Sequence, residues 1–140
     1  MNLSKHFTLE ELTRTDTGLD NTPEVKHLGR LQNLANNLEL VRAICGNKPI
    51  KVTSAFRSEA VNRKVGGSDT SAHKDGDAAD IKIPGLDNKK ICSMLIRSGI
   101  KFDQLIDENK NGSQWVHISF APKLRQQYLI FSNGRYEVHK

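Results

Sequence analysis

Cysteine is scarce in this chain of 140 residues, with Cys45 and Cys92 the only two. The two could in principle pair, but neither has a second Cys or a His at ligand spacing, so a thiolate metal site is not indicated. Each falls in an apolar helical pattern, Val41-Arg-Ala-Ile-Cys45 or Ile91-Cys-Ser-Met-Leu95, and a buried free thiol is expected at both. Aromatic residues are only 6% of the chain. With so few rings, and with Lys and Arg scattered along the sequence, there is no stacking platform for nucleic acid, which is not expected as a partner. No apolar run approaches the ~18 residues that cross a bilayer, so no transmembrane segment is expected. The opening residues, Met1-Asn-Leu-Ser-Lys-His-Phe7, hold no apolar stretch of the kind that directs export. Repeats, low-complexity segments and linkers are lacking too. One domain covering residues 1–140 is expected, and a monomer.

What is present fits a soluble globular protein. Hydrophobic residues make up 36% and charged residues 26%, and the length allows a core without cross-links. A net charge of +5 favours anionic partners. Thr8-Leu-Glu-Glu11 matches a capping box and opens a short helix. Thr22-Pro23 predicts the start of a longer one, with Thr22 as N-cap and Pro23 at the first helical position. Val25, Leu28, Leu31, Leu34, Leu38 and Val41 recur at helical spacing up to a stop at Gly46, giving a core stripe. Lys48 to Phe56 reads as a strand that delivers Arg57, and Ser58 caps a short helix stopping at Gly66-Gly67. A polar loop from Gly67 to Gly76 follows, then a helix from Asp87 to Ser98 ended by Gly99. Phe102 to Asp107 and Gln114 to Phe120 form a hairpin, and Asn133-Gly134 turns a second one between Tyr128–Ser132 and Arg135–Val138. Helices early and antiparallel strands late argue an α+β fold.

Within this frame three residues have the makings of a metal site. His73 and Asp80 stand in Ser71-Ala-His-Lys-Asp-Gly-Asp-Ala-Ala-Asp80, and His117 in Gln114-Trp-Val-His-Ile-Ser119. Zinc accepts imidazole nitrogen and carboxylate oxygen, and a hydrolytic site uses three protein ligands and leaves a fourth position for water. Strand alternation puts Ile81 and Ile83 on one face and Asp80 with Lys82 on the other. It likewise sets Val116, Ile118 and Phe120 opposite His117. If the two strands neighbour each other, Asp80 and His117 share the non-core face, and His73 reaches them from the loop before the first strand.

These residues resemble a family. Val52-Thr-Ser-Ala-Phe-Arg57-Ser, Asn62-x-x-Val65-Gly-Gly-Ser68, Ser71-x-His73-x-x-Gly76-x-Ala78-Ala-Asp80, Phe102-Asp-Gln-Leu-Ile106 and Trp115-Val-His-Ile-Ser119 look like the zinc D-Ala-D-Ala carboxypeptidases. The same superfamily holds the vancomycin-resistance D-Ala-D-Ala dipeptidases, murein endopeptidases and the Hedgehog domain. The resemblance runs from about Phe7 to Phe120 with the motifs in order. It implies one domain of that type, with a central, mainly antiparallel sheet, helices on its apolar face and the metal on the other. It implies one zinc ion per chain held by His73, Asp80 and His117, with Arg57 and Ser71 as substrate or transition-state contacts. The implied activity is hydrolysis of an amide in the peptide stem of bacterial cell wall, as a carboxypeptidase or an endopeptidase. A wall substrate without an export signal is reconciled by an endolysin-like role, the enzyme being released by a separate membrane-permeabilising protein.

The remaining candidates divide. A guanidinium at Arg57 can hold a carboxylate or developing oxyanion through its planar fork of donors, or pair with Glu59 at the surface. Ser71 can bond substrate or merely the loop backbone. Trp115 can line the cleft or pack across strands. His6, His27 and His139 have no partner spacing and read as exposed or structural. The superfamily often places an acidic general base three positions before the last histidine, where this chain has Gln114. Either another carboxylate does that work, or the chain is a non-catalytic module that binds zinc and wall. Phe102-Asp-Gln-Leu-Ile-x-Glu108 resembles a run in family members, so Glu108 is the expected base, with Asp103 the runner-up. The choice turns on the hairpin register, because a pairing of Glu108 near Trp115 puts both on the face of His117 and Asp107 on the other.

Overall fold

The protein is described by a computed structural model covering residues 1–138; His139 lies outside the described residues. Helices α1 (Leu9–Leu12) and α2 (Val25–Ile44) are followed by strand β1 (Lys51–Ser54) and helix α3 (Glu59–Lys64). A single 3-10 turn, Ala72–Asp75, leads into β2 (Ala78–Lys82), then α4 (Asn88–Ser98), β3 (Gln104–Lys110), β4 (Ser113–Ser119), β5 (Gln127–Ser132) and β6 (Arg135–Val138). The strands form one sheet in the order β1-β2-β4-β3-β5-β6. Every neighbouring pair is antiparallel except β3 with β5. This is the α+β architecture with a mainly antiparallel sheet that the element order implies.

Side-chain alternation divides the sheet into two faces. Ala79, Ile81, Leu105, Val116 and Ile118 point toward α2 and α4 and merge with Leu31, Leu34, Leu38, Val41, Ile91 and Leu95 into the core. Each fully buried Leu or Ile contributes about 1.5–3 kcal/mol, so this face carries most of the stability. Cys45 and Cys92 are free thiols buried in the same layer. Burial pushes the Cys92 thiol up to about 12, which leaves it protonated and inert.

The N-caps of α1 and α3 and the end of α4 fall where the sequence sets them, while Asp87, expected as the first residue of α4, stands just before it as its N-cap. Thr8, Ser58 and Asp87 each accept a backbone N–H of the first turn, and Gly99 ends α4 in the left-handed conformation with φ +76°. The start of α2 differs. Its N-cap is Glu24, which forms a reciprocal box with His27, and Thr22 bonds back to Asp20 instead. The core stripe shifts with it: Val25 is 85% and Leu28 38% exposed. The inward position of the first turn is taken by His27, whose ring lies 4.7 Å from Phe56, continuing as Leu31, Leu34, Leu38 and Val41. His6 is also structural, bonded at 2.7 Å to Glu39 of α2.

Two strands are displaced from their expected bounds. The first is shorter, Lys51–Ser54, and β3 runs to Lys110 rather than ending at Asp107. The cause is the tight turn Asn111-Gly112, whose φ values of +51° and +82° fit a two-residue hairpin and let the strands pair up to it. Asn133-Gly134, at +53° and +75°, joins β5 to β6 in the same way. Among the described residues no helix is long and apolar enough to cross a membrane.

Candidate active site

The face of the sheet turned away from α2 and α4 gathers the polar residues. Asp80 of β2 is the direct cross-strand partner of His117 of β4, so both project to this side. The 3-10 turn brings His73 over them. Ser71 caps that turn by accepting the His73 backbone N–H at 3.2 Å, and Gly76 closes it at φ +84°. This is the loop-backbone role open to Ser71, and it leaves the hydroxyl its own hydrogen to donate.

The three side chains are buried, and one donor atom from each lies within 4.8 Å of the others. His73 Nδ1 sits 2.6 Å from the Ala55 carbonyl, which only an N–H can satisfy. That bond fixes the ring and leaves Nε2 facing Asp80 Oδ1 at 3.2 Å. His117 Nδ1 faces the same oxygen at 3.2 Å. Asp80 is fully ionised: burial alone would raise its pKa, but His73 and His117 together hold it well below the usual carboxylate range. Each imidazole nitrogen and the Asp80 oxygen share one cation between them, whether a proton or a metal ion, and the three donors converge closely enough to hold a metal. Four ligands about 2.0–2.1 Å from zinc at tetrahedral corners stand roughly 3.3 Å apart, which the two measured separations match. One Zn2+ fits this donor set.

Around the triad stand the other candidates. Arg57 Nη2 is 3.5 Å from Asp80 Oδ2, and its Nε donates to Ser54 Oγ at 3.1 Å. Its side chain is only 17% exposed, so it belongs to the site and not to a surface pair with Glu59, which bonds Lys74. Gly67 must lack a side chain here, because a Cβ would lie 2.1 Å from Asn62 Oδ1 and 3.2 Å from Arg57 Nη1. On β3, Glu108 pairs with Trp115 and Ile106 with His117, so Glu108 lies on the face of the triad. The Trp115 indole N–H donates to Glu108 Oε2. Burial and then the Asp80 charge raise the Glu108 pKa, opposed by His117, the indole bond and Arg57. A carboxylate so placed is tuned toward proton transfer.

The other acids fall away. Asp107 points to the opposite face and accepts from Asn88 Nδ2 at 2.8 Å. Asp103, the runner-up, is buried beneath Arg125 in a two-pronged ion pair with both contacts at 2.9 Å, so it is structural. Gln114, three residues before His117, pairs with Asn109 and has the opposite parity to His117. In this regular hairpin a carboxylate at that position would turn away from the triad.

Two buried asparagines that organise the site were missed in the sequence. Asn88, at the start of α4, donates to Asp107, to the Glu108 carbonyl and to the Trp115 carbonyl, clamping the strands behind the proposed base. Asn21 donates to the Thr13 and Phe56 carbonyls at 2.9 Å and accepts the Ser58 N–H at 2.7 Å, fixing the segment that carries Arg57. Neither has a local signal, since all their partners are distant in sequence.

As a class, this arrangement is the donor set of a mononuclear metal centre with a carboxylate beside it. Residues 5–119 match the family Peptidase M15, and the chain belongs to that family. Over 91 residues it is 32% identical to the zinc D-Ala-D-Ala carboxypeptidase of Streptomyces albus G. That alignment covers 64% of this chain but 34% of the relative, so the chain spans about a third of the length of the curated protein it matches.

Proposed function

We propose that the protein is a zinc peptidase that hydrolyses an amide bond in peptidoglycan stem peptides, with His73, Asp80 and His117 as the zinc ligands. The observation that carries this reading is the placement of Glu108, a half-buried carboxylate with a raised pKa on the same sheet face as the triad. When bound, the metal supplies Lewis acidity, polarising the scissile carbonyl and making water a nucleophile near neutral pH. Glu108 takes a proton from the attacking water and returns it to the departing amine. Its hydrogen bond from Trp115 occupies Oε2 and leaves Oε1 for the proton. Arg57 releases part of its hold on Asp80 to bind a substrate carboxylate or the charge that develops on the carbonyl oxygen. The substrate class is supported by the carboxypeptidase named among the relatives, and by a net charge of +5 that suits an anionic wall. The proposed place of action is the cell wall, reached in an endolysin-like manner with a separate protein opening the membrane.

Mass spectrometry of defined muropeptides, incubated with and without chelator, tests this. Chelator-sensitive loss of a terminal D-Ala supports a carboxypeptidase, and cleavage into two peptides an endopeptidase. Intact muropeptides that nonetheless bind the zinc-loaded protein would overturn hydrolysis in favour of a binding module.

A further inference from the structure

Beyond Glu108 two rows of the catalytic face stay apolar, between polar residues of the same face, Lys110 and Ser113 at one end and Gln104 and Gln127 at the other, whereas an open sheet is ordinarily polar throughout its solvated side. The pairing register runs Trp115–Glu108–Phe131–Tyr136 in one row and His117–Ile106–Leu129–Val138 in the next. Directly paired residues share a face, so Phe131, Tyr136, Leu129 and Val138 continue the side that bears the triad. The rings of Phe131 and Tyr136 are 4.6 Å apart. Tyr136 is nevertheless 59% and Val138 67% exposed, while the charged residues of β6, Arg135 and Glu137, have the opposite parity. Outward of β4, Glu108 is thus the only carboxylate or basic side chain in these two rows. The shelf is built by β5 and β6, which lie outside the residues that match the family.

We propose that this aromatic shelf is a substrate subsite that holds uncharged, aliphatic residues of the peptide on one side of the scissile amide. The inference rests on the peptidase reading above. An exposed apolar strip of this kind marks a binding surface, and its continuity with Glu108 makes the occupant the same chain whose amide is cut. Strands are spaced by ~4.8 Å, so β3 to β6 spans two strand intervals, roughly 10 Å, or about three extended residues. The shelf therefore selects for peptide length and for methyl-bearing side chains rather than for charge. Contacts this far from the reacting atoms strengthen binding of ground state and transition state alike, and their loss appears in KM.

The test compares Tyr136→Ala and Phe131→Leu with wild type on a defined muropeptide that is cleaved and on versions of it shortened from each side of the scissile amide that has residues to spare. Tyr136→Ala should raise KM on the full peptide about five- to tenfold, the worth of one aromatic contact. The difference from wild type should vanish on one of the shortened peptides. Glu137→Ala, on the other face of the same strand, should behave as wild type throughout. Equal effects on long and short peptides, or none on the long one, would overturn the subsite. A loss confined to peptides carrying the disaccharide would reassign the shelf to sugar and overturn the peptide occupant. Binding is read separately in a Glu108→Gln background through the fluorescence of Trp115, the single tryptophan. Absence of cleavage by wild type would sink the peptidase reading, while this titration would still decide the shelf.

Discussion

Replacing Glu108 by Gln separates the base from everything else the site does. The substitution keeps shape and volume, and the Trp115 indole still finds an amide oxygen to bond. Zinc ligation is untouched, because none of the three candidate ligands is altered. What is lost is the proton acceptor, and a positioned general base contributes about 10²–10⁴-fold. At about 1.4 kcal/mol per tenfold, kcat/KM should fall by roughly 3–5.5 kcal/mol. Stability should not fall with it. The carboxylate is partly buried and its pKa is raised, so the folded state disfavours its charge at neutral pH, and a neutral amide removes that cost. The assay is a progress curve on a defined muropeptide, with zinc content and Tm measured on the same preparation. Turnover within threefold of wild type at full zinc occupancy would refute the assignment. Loss of zinc or a large drop in Tm would show that Glu108 is a structural residue.

Arg57→Ala should lower kcat/KM by about 2–4 kcal/mol, with Lys a poor substitute because it lacks the planar fork; equal rates for Arg57, Ala and Lys enzymes would return the residue to a supporting role for Asp80. Trp115→Phe removes a donor that stabilises the ionised form of Glu108, so the acid limb of the kcat/KM profile should move to higher pH; an unmoved limb would disconnect the indole from the base. Asp103→Asn should retain turnover while losing about 1–2 kcal/mol of stability, since it breaks the paired bonds from a half-exposed Arg125. The Arg125 bonds hold the Asp103 pKa below its unfolded value, so their stabilisation is complete above that unfolded value and is lost as pH falls through the lowered one. A urea titration at neutral pH compared with one at strongly acidic pH would check it.

The sequence carries the site more fully than it carries the surroundings. Asp80 and His117 are legible because strand alternation has a period of two and their apolar neighbours declare which face is core. Their direct pairing across β2 and β4 turns a parity argument into a contact. Glu108 was harder, because choosing it over Asp107 requires the hairpin register, and the polar run Asn109 to Ser113 allows several. The left-handed pair Asn111-Gly112 sets it at two residues. The N-cap of α2 was misplaced at Thr22 because Thr-Pro is a strong local signal, yet the reciprocal Glu24–His27 box lies two residues on. Val25 and Leu28 then fall off the buried stripe that runs from His27 to Val41. Asn21, Asn88 and the Arg125–Asp103 pair answer only to tertiary neighbours, which no local pattern encodes.

Elemental analysis of the purified chain and of its His117→Ala variant tests the central claim most directly. The account predicts one zinc per wild-type chain, and loss of that zinc from the variant at modest chelator concentration, because one of three protein ligands is gone. Full zinc occupancy in His117→Ala, or none in the wild type under zinc-replete conditions, would contradict it.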